Sequence, residues 1–316
     1  MPVPSQLVFR EPNDSDADHE AIADLRNRSY PWDVPAAAKT VAWSIGRADP
    51  DRPKAFLLAQ LGDDLLGAGY VRGVPGQPGL LMEIYVEPAH RRRGVGSTLY
   101  EALLERIGPT DVSLWSYVSE SDAGGVGFAA NYGFVERDRA FESGLDLLAF
   151  DADEHAGTLQ AADARGLRMS TFSDEDSPEM RRQMYALTQL LERDVPTVVK
   201  RQDVTYDEWA AFAIGGPHAR LDLFVIAFDG DRPVAFSSLL GLADGFAYNA
   251  MTGVHRDHRG KGLGLAVKVE VLRRAQDAGF THVRTDNHQR NAPMLAINQR
   301  LGYRRLPAVI ELEREG

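Results

Sequence analysis

The sequence predicts a mixed α/β protein, an α+β arrangement around a mixed sheet, built as two tandem copies of one unit. Three observations carry this. The stretch HRRRGVGSTLY (His90 to Tyr100) returns as HRGKGLGLAVK (His258 to Lys268), with Gly262 placed 168 positions after Gly94. The closing pair Gly133-Phe134 returns as Gly302-Tyr303, 169 positions on, so only one residue of slippage separates the copies. Self-similarity at a fixed offset is the signature of a repeated structural unit. Finally, 316 residues with 44% hydrophobic content suffice for two cores of ordinary size.

Taken in chain order, the first half opens its sheet with KAFLLAQLGDDLLGAGYVRGV (Lys54 to Val74), which reads as two strands around a Gly-Asp-Asp turn. LLMEIYV (Leu80 to Val86) reads as a third strand. After the Gly-x-Gly, the apolar residues Leu99, Leu103 and Ile107 recur four apart and predict a helix. DVSLWSYV (Asp111 to Val118) predicts a further strand. The second half repeats the order: LFVIAFDGDRPVAFSSLLG with an Asp-Gly-Asp turn, FAYNAMTGV ending at Val254, a helix carrying Leu263, Val267 and Val271, then HVRTDN. A strand, a loop and helix, and a return to a parallel strand define a mixed α/β layer. The acidic, alanine-rich stretch DADEHAGTLQAADARG (Asp151 to Gly166) places the boundary, giving domains 1–152 and 153–316.

Composition excludes several classes. A net charge of −11 argues against nucleic acid as a partner, because that affinity rests on basic surface. With no cysteine there is no disulfide, thiolate metal site or catalytic thiol. The eight histidines show no two-histidine helix spacing, so no metal is expected, and His255 and His258 are read as supports of the neighbouring loop. No stretch has the roughly 18 consecutive apolar residues of a membrane span, and the first residues lack a leader pattern. The expectation is a cytoplasmic protein with no membrane partner.

The repeated loop is a basic cluster on an acidic chain. A strand ending at Val86 or Val254, a loop of Arg and Gly, and then a helix N-terminus present backbone N–H groups where the helix dipole favours an anion. Glycines let the chain approach phosphate oxygens, and Arg91 to Arg93, or Arg259 with Lys261, add positive charge. A phosphate or diphosphate suits this place. A P-loop needs G-x-x-x-x-G-K-[ST], which neither copy contains. A dinucleotide fingerprint needs a third small residue where Leu99 and Val267 stand, and it follows the first strand of its unit, not the third.

Arg-x-x-Gly-x-Gly after a third or fourth strand resembles the acyl-CoA loop of the GCN5-related N-acetyltransferase (GNAT) superfamily. The resemblance covers both halves and includes NAPMLAINQRLGY (Asn291 to Tyr303), which looks like that superfamily's closing helix. It implies two tandem acyl-CoA N-acyltransferase domains, like those of two-domain members, with acetyl-CoA as cosubstrate. A splayed pair of parallel strands would admit the pantetheine arm, with Val86 and Val254 as its backbone partners. The implied diphosphate residues are Arg91, Arg93, Gly94, Val95, Gly96 and Ser97 in the first half. In the second they are Arg259, Gly260, Lys261, Gly262, Leu263, Gly264 and Leu265, and Asn291 joins the cofactor set.

Acetyl transfer to an amine needs a base, a polarised carbonyl and a departing thiolate. Glu83, near the end of its strand, is the candidate base; Met251 stands at the matching position, leaving Tyr248, Asn249 and Thr252 as polar neighbours. Asp194, Glu192, His288 and Asp286 are the bases that other segments could bring. The tyrosine many members place four residues before the closing Gly-aromatic pair is Ala129 in one half and Asn298 in the other, with Tyr132, Tyr117 and Tyr303 nearby. Glu83, Asn298 and Tyr248 are the catalytic candidates; capping and anchoring of the last helix is the competing role for Asn291 and Asn298. LLERDVPT (Leu190 to Thr197) is a candidate substrate loop. The expected activity is acetyl transfer to the primary amine of a small molecule or peptide by direct attack, with one half catalytic; a non-catalytic acyl-CoA sensor is the alternative. The first half has the better base and the second the fuller motif set, and the balance leans to the second.

Overall fold

The computed structural model describes residues 7–316, except 32, 47, 50, 75–76, 196–203, 243–244 and 289. The first half contributes β1 (Val8–Arg10), α1 (Asp16–Ser29), α2 (Ala38–Gly46), β2 (Ala55–Leu61), β3 (Asp64–Gly73), β4 (Leu80–Val86), α3 (Val95–Ile107), β5 (Leu114–Ser119), α4 (Ala123–Asn131) and β6 (Val135–Asp146). The second contributes α5 (Ala156–Asp163), β7 (Leu167–Thr171), α6 (Phe172–Glu175), α7 (Pro178–Glu192), α8 (Tyr206–Ala213), β8 (Ala219–Asp229), β9 (Arg232–Gly241), β10 (Phe246–Val254), α9 (Leu263–Asp277), β11 (His282–His288), α10 (Ala292–Arg300) and β12 (Arg304–Arg314). The strand and helix order inferred from the two sequence copies is the order observed.

Among the described residues the chain forms two compact units, and neither is contiguous. One contains Met1–Arg139 and Val309–Gly316; the other contains Ala140–Val199 and Asp203–Ala308. The sequence reading placed a single division at 152/153, whereas each unit takes its last strand from the other half of the chain. In the first unit the order is β1-β2-β3-β4-β5-β12, with Val309–Arg314 antiparallel to β5. In the second it is β6-β11-β10-β9-β8-β7, with Ala140–Asp146 antiparallel to β11. β4/β5 and β10/β11 pair in parallel.

Each sheet is covered on both faces, so its central strands are almost continuously apolar. In the first unit Leu57, Met82, Leu99 and Leu103 pack beneath α3, while Leu58, Tyr85, Ile22 and Leu25 pack beneath α1 and α2. In the second, α9 closes one face with Val267, Val271 and Leu272, and α7 and α8 close the other with Met184, Leu187 and Trp209.

Ile310 and Leu312 from the end of the chain are buried in the first unit's core. Replacing Leu312 by alanine removes that packing at a cost of about 2–5 kcal/mol. The expected result is faster hydrogen exchange across β5 with β10 and β11 protected as before, measured by amide exchange with mass spectrometry. Uniform loosening of both units would contradict the exchanged-strand arrangement.

Candidate active site

The parallel strands part company soon after they meet. β4 pairs with β5 only at Leu80↔Leu114 and Leu81↔Trp115, although β4 runs on to Val86. β10 pairs with β11 only from Phe246 to Tyr248, although β10 runs on to Val254. A bulge between Asn249 and Met251 re-aims β10 just past its last paired residue. Each unit therefore has a wedge between parallel strands, open at their C-terminal ends, as the family resemblance implied.

A helix begins at the mouth of each wedge. α1, α4, α7, α8 and α10 start at a residue whose side chain accepts from the first turn, here Ser15, Asp122, Ser177, Thr205 and Asn291. α3 and α9 instead start at left-handed glycines, Gly94 (φ 86°) and Gly262 (φ 79°), with no side-chain cap. The first intrahelical bonds run from Thr98 to Gly94 and from Ala266 to Gly262. The amides of Val95, Gly96 and Ser97, and of Leu263, Gly264 and Leu265, are therefore the unbonded first-turn donors at the positive end of each helix.

The two loops share one backbone. Arg92 (φ 62°) and Gly260 (φ 73°) occupy matching left-handed positions, two residues before the left-handed Gly94 and Gly262. A Cβ on Gly96 would lie 3.4 Å from Val86 and 3.3 Å from Phe128; one on Gly264 would lie 3.3 Å from Val254 and 3.4 Å from Ile297. In both copies the missing side chain lets the helix start close against the strand end and the closing helix.

The arginines of the motif are shared out differently from the sequence assignment. Arg91 donates to the carbonyls of Val86 (3.4 Å) and Ser29 (2.6 Å). Arg259 donates to Val254 O (3.0 Å) and to Asp194 (2.6 Å), which also receives Arg256. Each guanidinium thus clips the strand end to the C-terminal end of the covering helix, at the last residue of α1 or two residues past α7. The Arg259 bond holds the Asp194 carboxyl below its ordinary range, so this candidate base is an anchor of the loop. Arg93 is exposed, and Lys261 turns its ammonium to Asp257 O at 3.1 Å.

In the first unit a cavity of about 620 Å³ fills the wedge. Val86, Arg91, Arg92, Gly94, Gly96 and Ser97 form its loop end, and Tyr30, Tyr117, Tyr132 and Ala129 line it further in. A cavity of this size with first-turn amides at its rim fits the diphosphate and arm of an acyl-CoA. Tyr132 packs against Tyr100 with tilted rings whose centroids are 3.9 Å apart.

Glu83 faces the α1/α2 side. Its Oε2 accepts from Tyr70 at 2.6 Å and also from the hydroxyl of Tyr85. Tyr70 sits directly across the β3/β4 ladder from it. Burial, and then the Glu83 charge, push both tyrosine hydroxyls well above their ordinary range, so they remain donors. The sequence reading missed both. The signal was there in the Tyr-x-Arg and Glu-x-Tyr alternation of adjacent strands, but using it requires the register.

The second unit differs inside the same frame. Met251 packs in the α7 core where Glu83 stands in the first. Tyr248 lies at the closed, paired end of β10/β11, six residues and about 20 Å of strand before Val254. Asn298 is buried, receives a hydrogen bond from Lys268, and donates to Asn287 Oδ1 at 2.6 Å. Lys268 is itself 1% exposed, with its ammonium 4.7 Å from the Tyr303 ring. Its place on the apolar face of α9 was visible in the sequence and was not used. Asn291 caps α10 through Met294 N. Of the LLERDVPT segment, Pro196 and Thr197 lie outside the described residues.

With both wedges, both loops and the carboxylate in place, the frame defines an acyltransferase of a particular class. The family model for the Acetyltransferase (GNAT) family matches residues 19–134 and 184–303. The chain belongs to that family and is an N-acetyltransferase with two tandem GNAT regions. Among curated relatives it is similar to the mycothiol acetyltransferase of Clavibacter sepedonicus, 29% identical over 80% of this chain and 78% of that one. It is also similar to the enzyme of the same name from Saccharopolyspora erythraea, 26% identical over 85% and 88%. A solved tandem GNAT protein from the clavulanic acid biosynthesis pathway shares the fold, with a TM-score of 0.74 at 21% identity over 98% of both chains. A GNAT protein from Sphaerobacter thermophilus shares it with a TM-score of 0.70 at 20% identity, over 99% of this chain and 96% of that one.

Two measurements follow. Because Arg92 holds a left-handed backbone and Gly260 holds the same conformation with open space around its Cβ, Arg92→Gly is expected to stabilise the fold by about 1 kcal/mol and Gly260→Ala to destabilise it by about as much. Thermal unfolding checks this, and effects of equal sign would refute the matched geometry. Burial depresses Lys268 from its ordinary 10.5 to about 7. From pH 7 to 10 the unfolded chain then holds a proton there that the folded chain has released, so stability rises with pH. The expected contribution, up to about 1.4 kcal/mol per pH unit, should vanish in Lys268→Met when urea midpoints are compared at pH 7, 8 and 9.

Proposed function

We propose that the protein transfers the acetyl group of acetyl-CoA to the primary amine of a small molecule or peptide, and that the first unit does the chemistry. The observation that carries this is the coincidence, in one unit, of an open wedge cavity, a first-turn amide cradle and a held carboxylate three residues before the strand end. The curated relatives' names support a small-molecule acceptor. The second unit keeps the cradle backbone, but its carboxylate position is Met251 and its closing helix is pinned by Lys268. The balance of residues therefore favours the first unit, whereas the motif set alone favoured the second.

Acetyl-CoA, when bound, supplies the activated acetyl thioester. The amides of Val95, Gly96 and Ser97 would hold its diphosphate, with Arg92 alongside and Arg91 fixing the strand end. Glu83 would accept the proton of the attacking amine: both tyrosine hydroxyls bond one of its oxygens, and the other carries no bond among the described residues. Tyr132, on the wedge wall beside Ala129, is the nearest replacement for the tyrosine the family often places on the closing helix. Its hydroxyl would give a proton to the departing sulfur.

Glu83→Gln keeps the shape and removes the proton acceptor. A fall of about 10²-fold or more in kcat is expected, with acetyl-CoA affinity retained, read from thiol release and calorimetry. Gly94→Glu and Gly262→Glu place the same charge and the same backbone strain in the two cradles. The larger loss of activity should fall on Gly94→Glu; the reverse order would assign the chemistry to the second unit.

A further inference from the structure

The α1/α2 face of the first unit carries a second charge close to Glu83. Arg72 lies two residues after Tyr70 on β3, opposite Leu81, so it is the diagonal neighbour of Glu83 on the same face. Diagonal pairs of this kind have Cβ atoms about 7–8 Å apart. The two do not bond each other. The Tyr70 hydroxyl takes the Glu83 oxygen, and the Arg72 guanidinium sits 5.5 Å from the Tyr70 ring.

Arg72 has no ion-pair partner among the described residues. Among the described residues its donors reach Ser44 Oγ at 3.0 Å and, weakly, Gly73 O at 3.4 Å. Its Nε is buried without any hydrogen-bond partner. An enclosed donor of a permanent cation, left without an acceptor, lowers stability. The other cation of this face, Arg26, is already paired with Asp33 and bonded to Val34 O. Glu83, which no arginine bonds among the described residues, and Arg72 therefore share one half-buried face.

We propose that the acceptor is a compact zwitterion: Glu83 receives its amine while Arg72 receives an anionic group, a carboxylate or phosphate, a few bonds away. With charge-assisted contacts of about 2.8 Å at each end, such an acceptor would carry its two charges only a few bonds apart, as an α-amino acid or an amino-sugar phosphate does. A simple alkylamine satisfies Glu83 and leaves Arg72 as it is. This rests on the first unit being the working one, and it adds the substrate class to that reading.

The test uses matched acceptors with the full chain: phenylalanine against phenylalaninamide and phenethylamine for the carboxylate, and glucosamine 6-phosphate against glucosamine for the phosphate. Thiol release from acetyl-CoA should give a kcat/KM about tenfold or more higher for the anionic member of at least one set, carried by KM. The set that shows it identifies the anion. In Arg72→Met the ratio should fall to near one, and in Arg72→Lys it should recover in part, with thermal melts confirming that both variants fold. Equal rates on anionic and neutral acceptors in the parent, a ratio that survives in Arg72→Met, or no turnover of any anionic amine overturns the proposal. If neutral amines alone are acetylated and Glu83→Gln abolishes that activity, only the zwitterion assignment fails. If Glu83→Gln is as active as the parent on every acceptor, the assignment of the chemistry to the first unit fails with it.

Discussion

Two parallel strands that pair at one end and separate at the other leave a row of backbone donors and acceptors unsatisfied inside the protein, and that wedge organises what surrounds it. Unpaired strand backbone must be satisfied by water, by side chains or by something extended laid along it. The helix that follows must begin at the wedge mouth, and its start must come close, which glycine at positions 96 and 264 eases. The strand end must not fray, and Arg91 and Arg259 secure it by tying the last carbonyl of each strand to the C-terminal end of the covering helix.

The duplicated frame hosts two different interiors. At the matching position on the helix behind the wedge, the first unit has Tyr100 and the second Lys268; on the closing helix the pair is Ala129 and Asn298. Aromatic rings leave space beside small Ala129, and the first wedge is a cavity. Lysine in the same place must find a hydrogen bond once it is cut off from water, and Asn298 supplies it, drawing the closing helix onto β11 through Asn287. A single change of residue type on one helix face thus couples to the closing helix, because a buried polar group requires a partner.

Legibility followed the length scale of each constraint. The loops were legible because left-handed backbone and close approach admit few residue types, and they do so at fixed spacing. Glu83 was legible as a lone carboxylate near a strand end. Tyr70 and Tyr85 were not, since what makes them partners of Glu83 is the ladder that sets Tyr70 across from it. Arg91 and Arg259 were legible as cations at an anion loop, but the direction of a flexible guanidinium depends on which carbonyls other elements bring near. Tyr248 looked well placed by distance along the chain and lies at the closed end of the wedge, because the side on which strands separate is a property of the pair.

The sequence by itself determined the repeat, the mixed sheet with its helices, the two glycine cradles and the position of one carboxylate, since each rests on local periodicity or on backbone conformations that few residues adopt. Only the tertiary structure decided that the strands ending each half complete the opposite sheet, that the motif arginines clip the strands, that two tyrosines hold Glu83, and that Lys268 ties down the closing helix. Those outcomes depend on pairings between segments up to two hundred residues apart, whose energies come from register and enclosure, and no short window of sequence encodes either.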